Sequence, residues 1–287
     1  MTRFFVVPQW QGSPATRAMH LVDGAEAIAG DLPRASTARV EVPTSAGEAL
    51  DTGIRRFSAL SRTAAALREA LAAHEGPTGD GDGDGDGYEN FLVIGGDCGV
   101  AVPAIAHAAA RRGALDDSLA VVWFDAHGDL NTPDTSPSGA FAGMALRAVI
   151  DDLPLEGSGA VPASRVILAG ARELDDAESA ALGDSGPTHL DVEALADPLA
   201  LADAVAATGA GAVYVHIDLD VLDPAVIGGV ALPVPFGLSL EQLLAALAAL
   251  RSRVPLVGAS IAGFAPASPA AAIDDLGTIL RVVGALA

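Results

Sequence analysis

Residues 119–133 read LAVVWFDAHGDLNTP, and in this stretch an apolar run passes directly into a group of polar residues. The first six residues are apolar, which predicts a buried strand over Leu119–Phe124. Asp125, His127 and Asp129 follow in alternation, and alternate residues of an extended chain lie on one face. The pattern predicts a strand that ends in one imidazole and two carboxylates, which together can bind a divalent cation. The alternative is that these residues only cap the strand and begin a turn.

Similar apolar runs recur along the chain and alternate with Ala- and Leu-rich stretches at helical spacing. We predict further strands at Phe4–Val7, Val40–Val42, Phe91–Ile94, Val166–Ala169, Ala212–Ile217 and Val254–Ala259. Helices are predicted at about 46–75, at about 100–112, over Ser239–Ser252 with Ser239 as N-cap, and from about Ala270 onward. Continuous apolar strands between helices are typical of parallel sheets covered on both faces. The fold class is therefore α/β with a mostly parallel central sheet.

Residues 215–224 read VHIDLDVLDP and repeat the same arrangement after another apolar strand. Asp218 and Asp220 alternate there, and two carboxylates so close repel each other unless a cation lies between them. The carboxyl ends of parallel strands meet at one sheet edge, where α/β proteins bind ligands. Four aspartates and one histidine at that edge predict a metal site. These five ligands are enough for two ions if some carboxylates bridge.

The composition excludes several classes of partner. Of 287 residues, 37 are acidic and 16 basic, which gives a formal net charge of −21. A negative surface repels nucleic acids and anionic membranes, so we expect neither as a partner, and the single cysteine rules out a disulfide framework. The uncharged stretches Pro224–Leu240 and Val254–Ile273 contain prolines and glycines that interrupt a membrane-spanning helix. The first residues also lack a signal-peptide pattern, and we expect a soluble cytoplasmic protein.

No shift in composition divides the chain, and we predict a single domain over residues 1–287. One low-complexity segment, residues 79–87, reads GDGDGDGDG and offers alternating carboxylates. It lacks the spacing and the terminal glutamate of an EF-hand loop. We therefore interpret residues from about 77 to about 88 as a flexible, solvated loop rather than a calcium site.

A third informative stretch, residues 91–98, reads FLVIGGDC. Gly95 and Gly96 permit a sharp turn after the predicted strand. Cys98 then opens a helix, and the dipole at a helix N-terminus lowers the pKa of a thiol. The alternative is that Cys98 is only a small buried residue.

At these three stretches the chain resembles the arginase/agmatinase/formiminoglutamase superfamily of ureohydrolases, whose pattern is GGDH, then DAHxD, then DxDxxDP. The counterparts here are GGDC from Gly95, DAHGD from Asp125 and DLDVLDP from Asp218, in the same order. VPQWQGSP near the N-terminus and ALPVPFGLSLEQL from Ala231 extend the resemblance over most of the chain. It implies an arginase-like three-layer α/β/α sandwich, a small amino-acid-like substrate, a binuclear Mn²⁺ centre and a homo-oligomer, commonly a trimer or a hexamer.

The resemblance also implies a ligand set and a reaction. It assigns six metal ligands: Cys98, Asp125, His127, Asp129, Asp218 and Asp220. Asp125 and Asp218 would bridge the two ions. Cys98 and Asp129 would complete one ion, and His127 and Asp220 the other. A metal-bridging hydroxide would attack an sp² carbon, with Asp129 accepting its hydrogen bond.

Four further residues match substrate-binding positions of the superfamily. Asn131 and Ser138 match positions that bind an amino acid's α-carboxylate, with Ser136 as an assisting residue. Asp175, in the stretch GARELDDAE, matches the position near the α-amino group. The alternative is that Asn131 and the two serines serve only the turns of a segment rich in turn-forming residues.

Three departures from the superfamily pattern bear on the substrate. Cys98 replaces a histidine ligand, and a thiolate does not favour Mn²⁺, so Zn²⁺, Fe²⁺ or Co²⁺ become alternatives. Ala142 replaces a histidine thought to shuttle protons. Gly263 replaces a glutamate that grips the guanidinium, and no acidic residue lies between Glu241 and Asp274. We therefore expect inefficient arginase activity and a substrate with a less basic head group.

The leading hypothesis is a metal-dependent hydrolase of a linear C–N bond. One alternative is a specialised N-hydroxyarginine hydrolase that releases ornithine and hydroxyurea, and another is a noncatalytic binding or regulatory protein with the same fold. A deacetylase with a related fold is disfavoured because no two of the six histidines are adjacent. His216 occupies a place where ureohydrolases often carry a serine, and it either orients a ligand or packs in the core.

Overall fold

The computed structural model describes residues 2–74, 90–114, 118–183 and 185–287. The loop predicted between about residues 77 and 88 lies outside them. The strands within these ranges are β1 Arg3–Val7, β2 Thr37–Arg39, β3 Phe91–Gly95, β4 Leu119–Phe124, β5 Val166–Ala169, β6 Thr188–Leu190, β7 Ala212–Asp218 and β8 Leu256–Ala262. The α-helices are α1 His20–Gly30, α2 Phe57–Ala73, α3 Ala101–Ala114, α4 Ala145–Ile150, α5 Asp176–Ala181, α6 Ala200–Ala207, α7 Leu240–Arg251 and α8 Pro269–Leu286.

In the described part of the chain, these strands form one sheet in the order β2-β1-β3-β8-β7-β4-β5-β6, and every neighbouring pair is parallel. The predicted mostly parallel sheet is thus confirmed. Because each pair is parallel, every connection crosses a face of the sheet, and these crossings carry the helices. The carboxyl ends of all these strands therefore lie at one edge of the sheet.

Two buried clusters cover the two faces of the sheet, which confirms the predicted three-layer α/β/α sandwich. Strand β4 shows the division, since Val122 and Phe124 pack on one side and Val121 and Trp123 on the other. Helices α1, α6, α7 and α8 cover the Val122 side. Helices α2, α3 and α4 cover the Trp123 side. Strand β4 is buried along its whole length, as its continuous apolar sequence predicts.

The N-cap predicted at Ser239 is confirmed. The Ser239 hydroxyl accepts a hydrogen bond from the backbone N–H of Gln242, and the Gln242 side chain accepts one from the backbone N–H of Ser239. This capping box satisfies two backbone donors that the start of α7 would otherwise leave free. None of the helices in the described ranges is long and apolar enough to cross a membrane.

Three element predictions are corrected. The strand predicted at Val40–Val42 is wrong, because β2 occupies Thr37–Arg39 instead. The helix predicted from about residue 46 begins only at Phe57. The intervening segment has positive φ at several positions, which a helix does not allow: Gly47, Leu50, Asp51, Gly53 and Arg56. Strand β8 is displaced from the predicted Val254–Ala259 to Leu256–Ala262. Helices α1, α4, α5 and α6 and strand β6 are not among the predicted elements.

Candidate metal centre

A pocket of about 230 Å³ opens where the four central strands β3, β8, β7 and β4 end. The carboxyl edge of a parallel sheet is where α/β proteins bind ligands. All ten residues singled out from the sequence line this pocket: Cys98, Asp125, His127, Asp129, Asn131, Ser136, Ser138, Asp175, Asp218 and Asp220. The sequence therefore placed these side chains at one site, and their individual roles remain predictions.

The exit of β4 presents Asp125 as a buried carboxylate held from two sides. Its Oδ1 accepts a hydrogen bond from the backbone N–H of His127 at 2.7 Å and lies 3.3 Å from His127 Nδ1. Its Oδ2 accepts a hydrogen bond from the Trp123 indole Nε1 at 3.2 Å. The two oxygens of Asp125 thus face different neighbours, as a carboxylate that bridges two sites would.

The exit of β7 presents Asp218 and Asp220 on the neighbouring strand. Asp220 Oδ2 lies 3.1 Å from His127 Nδ1, and Asp220 Oδ1 accepts a hydrogen bond from the backbone N–H of Ala126 at 3.0 Å. Asp218 Oδ1 accepts the backbone N–H of Asp220 at 2.9 Å. Because β4 and β7 are hydrogen-bonded neighbours, the two polar groups predicted separately come together as expected.

Cys98 reaches this cluster from the turn that follows β3. The turn needs glycine at Gly96, because an added Cβ would overlap the carbonyl oxygen of Gln9. The buried Cys98 thiol donates to Asp218 Oδ2 at 2.9 Å, and its Sγ lies 3.9 Å from Asp125 Oδ2. A side chain in this position can reach the same point as both carboxylates.

His216 lies beside Cys98 in the interior of the protein and is fully buried. Its Nδ1 is 2.8 Å from the hydroxyl of Ser260, and its ring lies 3.9 Å from the Trp123 ring, centroid to centroid. Its other nitrogen, Nε2, is buried without a hydrogen-bond partner. Burial lowers the pKa of His216 to about 3, so the ring is neutral.

Asp129 occupies an unusual backbone conformation at the pocket floor. Its φ is 52°, in the left-handed region that few residues other than glycine adopt. Its carboxyl group is buried, and Oδ2 has no hydrogen-bond partner. A strained residue with an unpaired buried oxygen is typical of a functional position.

Burial and mutual repulsion raise the pKa of the carboxyl groups at this site. Burial, reinforced by a neighbouring carboxylate, raises the pKa of Asp218 to about 7 and that of Asp220 to about 6. The same two causes raise the pKa of Asp125 and hold that of Asp129 well above its usual range. Burial likewise raises the pKa of the Cys98 thiol.

His127 is the positively charged counterpart of these carboxyl groups. Burial acts to lower the pKa of His127, but hydrogen bonds to Asp125 and Asp220 outweigh it and raise the pKa to about 12. A divalent cation would supply the positive charge in place of the His127 proton and would relieve the repulsion among the aspartates. Carboxylate oxygens, imidazole nitrogens and a thiol converging on one pocket therefore fit one or two divalent metal ions.

The outer rim of the pocket carries the predicted substrate-binding residues. Asn131 Nδ2 donates to Asp175 Oδ2 at 2.8 Å. The hydroxyls of Ser136 and Ser138 accept backbone N–H groups from Gly139 and Ala140, which leaves each O–H available to donate. Two serine hydroxyls that can donate and one exposed acid thus stand together at the entrance.

Glu178 is a pocket residue that the sequence analysis did not single out. It is buried, lines the pocket, and accepts a hydrogen bond from the backbone N–H of Asp175 at 3.1 Å. Asp175 in turn accepts the backbone N–H of Glu178 at 2.9 Å, so the two residues form a capping box at the start of α5. The spacing Asp-x-x-Glu in GARELDDAE is the signal that could have identified this pair.

The wall of the pocket at the exit of β8 is uncharged. Gly263 stands there with φ of 86°, and an added Cβ would overlap Asp218 Oδ1. Ala142, Gly143, Ala231 and Leu232 also line the pocket. None of these five pocket residues offers an acid or a proton-transferring side chain to a substrate.

The fold and the site together define a three-layer α/β/α protein with a candidate metal centre at the carboxyl edge of a parallel sheet. The sequence model of the arginase family matches residues 20–276, and the chain belongs to that family. An arginase from Bacillus subtilis is 35% identical over 162 residues.

Solved structures show the same fold. The structure of Entamoeba histolytica arginase in complex with L-ornithine superposes with a TM-score of 0.81, covering 99% of this chain and 97% of the other at 21% identity. Formimidoylglutamase from Bacillus subtilis superposes with a TM-score of 0.69, covering 97% of this chain and 86% of the other at 16% identity. The fold is thus shared by proteins named for different substrates and does not by itself select one.

The sequence match to the curated relatives is partial. The alignment to the Bacillus subtilis arginase covers 53% of this chain and 53% of that protein, so it spans about half the length of either. Activity, substrate, metal identity and assembly therefore remain predictions for this chain.

Proposed function

We propose that the protein is a metal-dependent hydrolase that cleaves a linear C–N bond in an amino-acid-like substrate with a guanidino- or amidino-type head group. One observation carries the proposal: four buried aspartates and His127 converge in one pocket at the exits of β4 and β7. Their raised pKa values mean that the charged form of these carboxyl groups is disfavoured unless a cation binds among them. Membership of the arginase family supports this assignment.

Two metal ions, most simply Mn²⁺, would be held by Asp125, His127, Asp129, Asp218, Asp220 and Cys98. Such ions would make a water molecule acidic enough to act as a nucleophile near neutral pH. Asp125 is suited to a shared position because its two oxygens face His127 and Cys98 respectively. Zn²⁺, Fe²⁺ and Co²⁺ remain alternatives because of the thiol.

Asp129 is suited to proton transfer. Its buried Oδ2 is free of hydrogen bonds, the residue lines the pocket, and its pKa lies well above the usual range because burial disfavours the charged form. A carboxylate with a raised pKa is a stronger base. Oδ2 would accept the proton of the attacking water and return it to the nitrogen that leaves when the C–N bond breaks, which balances the hydrolysis.

The rim would bind the amino-acid end of the substrate. Ser136, Ser138 and Asn131 would donate to its α-carboxylate, and Asp175 would pair with its α-amino group. These groups stand on the chain that follows β4 and on the start of α5, so an extended substrate anchored there would direct its head group toward the aspartate cluster.

The head group would be less basic than a guanidinium. Gly263 and Ala142 line the pocket and supply neither an acid nor a proton donor at their positions. A charge-assisted hydrogen bond contributes roughly 1.5–3 kcal/mol, and each ~1.4 kcal/mol is a factor of ten in rate. Without an acid to bind its guanidinium, arginine should therefore react about ten- to a hundredfold less well than a substrate that does not need such an acid.

A second candidate function is hydrolysis of N-hydroxyarginine to ornithine and hydroxyurea. The observation that favours it is Ala142, since a hydroxyguanidine has a better leaving group and depends less on a protonating side chain. The absence of an acid at Gly263 gives this candidate little support, because a hydroxyguanidine, like arginine, can still bind a carboxylate. A noncatalytic protein with this fold is the third candidate.

The test is a comparison of substrates on one metal-loaded preparation. After Mn²⁺ reconstitution, kcat/KM would be measured for L-arginine, N-hydroxyarginine, an N-formimino amino acid and an amide analogue, with chelator-treated protein as the control. We expect a modified substrate to exceed arginine at least ~10-fold. Equal or faster turnover of arginine would contradict the less basic head group. Metal binding without turnover of any substrate would favour the noncatalytic alternative.

A further inference from the structure

The Cys98 side of the pocket contains a group of atoms that the ligand set above does not use fully. Cys98 Sγ, a carboxylate oxygen of Asp125 and a ring nitrogen of His216 all lie within 4.8 Å of one another. All three residues are buried. The second such group among the described residues, Asp125 with His127 and Asp220, shares Asp125.

The orientation of His216 is fixed by its neighbours in the sheet. Parallel pairing aligns Trp123 of β4 with His216 of β7, and His216 with Ser260 of β8. The imidazole therefore lies between the Trp123 ring on one side and the Ser260 hydroxyl, 2.8 Å from Nδ1, on the other. Neither neighbour occupies Nε2.

The unpartnered Nε2 of His216 is a second observation, independent of Cys98. A buried polar atom without a hydrogen bond destabilises the folded state, and nearly all buried polar atoms in folded proteins have a partner. A histidine that binds a metal through one ring nitrogen almost always hydrogen-bonds a neighbouring group through the other, and the Ser260 hydroxyl is in that position at Nδ1. A ring nitrogen of His216 lies in the same group of close atoms as Sγ and the carboxylate, and Nε2 is the ring nitrogen that no hydrogen bond occupies.

We propose that His216 is a metal ligand, and that Cys98, His216 and Asp125 form a site for a borderline-soft divalent cation such as Zn²⁺ or Co²⁺. This proposal rests on the proposed function in one respect only, namely that the pocket binds metal ions. The two sites share Asp125 and differ in character. Thiolate, imidazole and carboxylate suit Zn²⁺ or Co²⁺, whereas the two carboxylates with His127 suit the harder Mn²⁺.

Asp218 contacts this group at Cys98 and is the residue that we expect as a fourth ligand. Its Oδ2 lies 2.9 Å from Cys98 Sγ, and its Oδ1 is held by the backbone N–H of Asp220. Four ligands of sulfur, nitrogen and oxygen type are the number that Zn²⁺ takes in tetrahedral sites. The alternative is that His216 only fills space beside Trp123, in which case metal binding would not depend on its nitrogens.

The experiment titrates Co²⁺ into the metal-free full-length protein, without substrate. A thiolate bound to Co²⁺ gives a sulfur-to-cobalt charge-transfer absorption in the near ultraviolet. We expect this band to saturate at the first equivalent in the wild type. His216→Phe keeps a ring against Trp123 but removes both nitrogens, and it should weaken Co²⁺ binding at this site at least ~10-fold. His189→Phe, an exposed histidine far from the cluster, is the matched control and should leave the titration unchanged.

A wild-type measurement covers the case in which His216→Phe does not fold. At one equivalent of Co²⁺, a metal-bound imidazole gives a paramagnetically shifted, exchangeable N–H proton signal, which accompanies the thiolate band if both ligands hold one ion. The band without that signal, or an unchanged titration in His216→Phe, would overturn the assignment of His216. Absence of the band would overturn the site itself.

The two failures are distinguishable because these readouts need no turnover. A protein with both spectroscopic features that hydrolyses nothing would keep this site and contradict the proposed function. A protein that hydrolyses its substrate while His216→Phe binds Co²⁺ like the wild type would keep the proposed function and overturn this site.

Discussion

Strands β7 and β8 are neighbours that end at the same edge of the sheet, yet they leave opposite chemistry in the pocket. The exit of β7 presents Asp218 and Asp220, both buried and both with raised pKa values. The exit of β8 presents Ala262 and Gly263, which carry no charge. Charge is therefore concentrated where metal ions would bind and is missing where a cationic head group would need it.

The two exits are also physically linked. An added Cβ at Gly263 would overlap Asp218 Oδ1, and the positive φ of 86° at Gly263 disfavours any side chain. The missing side chain at Gly263 therefore leaves the space that the Asp218 carboxylate occupies. With this backbone, a glutamate at position 263 and Asp218 in its present orientation exclude each other.

The strongest test of the charged exit is Asp218→Ala. Asp218 contacts Cys98, caps the turn into Asp220 and lies in the centre of the pocket. We expect turnover to be lost and metal affinity to fall by more than the ~10–100-fold seen when only an outer hydrogen-bond partner is removed. Elemental analysis and kcat would measure this. Asp203→Ala, an exposed acid paired with Arg253, is the control, and retained turnover in Asp218→Ala would remove β7 from the catalytic site.

Next in size is Gly263→Ala, which tests the link between the exits. Both Gly263 and Gly209 have positive φ, at 86° and 69°, but nothing lies within 4 Å of an added Cβ at Gly209. Each alanine should lower the free energy of unfolding by about 1–2 kcal/mol through its backbone alone. Only Gly263→Ala should also displace Asp218 and weaken metal binding at least ~10-fold. Equal metal affinity in the two variants would show that the exits are independent.

The charged exits were predictable from sequence because alternation in a strand fixes the face of each side chain. Asp125, His127, Asp218 and Asp220 follow that rule, and the parallel topology brings them together. The absence of an acid near Gly263 was likewise predictable, because the sequence contains no acidic residue between Glu241 and Asp274. Neither inference required knowledge of a loop conformation.

What the sequence could not predict depends on contacts between distant segments. The free Nε2 of His216 follows from its cross-strand neighbours Trp123 and Ser260, which periodicity cannot identify. Glu178 reaches the pocket only because a capping box turns α5 toward it. The missed segment before α2 is shaped by positive φ values at non-glycine residues such as Leu50 and Asp51, for which no local signal exists.

A pH series would test the difference between the two exits, because the side of the pocket formed by the exits of β4 and β7 titrates and the exit of β8 does not. In metal-free protein His127 has a pKa of about 12, against 6.5 when unfolded, so above about pH 7 only the folded state keeps this proton. Its contribution to stability is complete below the unfolded pKa and is lost as pH rises. Stability should fall between about pH 7 and pH 9 by up to about 1.4 kcal/mol per pH unit. His216 adds no slope in this range because it is neutral in both states.

Chemical denaturation with chelator and with Mn²⁺ would measure that slope. A bound metal ion replaces the His127 proton in the folded state, so the decline should disappear when Mn²⁺ is present. His127→Asn in chelator should flatten the curve as well. A slope that persists with Mn²⁺ would mean that His127 keeps its proton and does not bind the metal. A slope that His127→Asn does not change would mean that another group causes it.

The smallest expected effect is at the rim, where Asp175→Asn separates substrate binding from the chemistry of the exits. Asn is as good an N-cap as Asp, so α5 should persist and the free energy of unfolding should change by less than about 0.5 kcal/mol. Because Asp175 is exposed, loss of its charge should raise KM only about two- to fivefold, with kcat and metal content unchanged. Asp191→Asn, an exposed aspartate that caps a turn away from the pocket, is the matched control. The effect should vanish with a substrate analogue that lacks the α-amino group. A fall in kcat would instead place Asp175 with the reacting end of the pocket, and the division between a binding rim and a reactive floor would not hold.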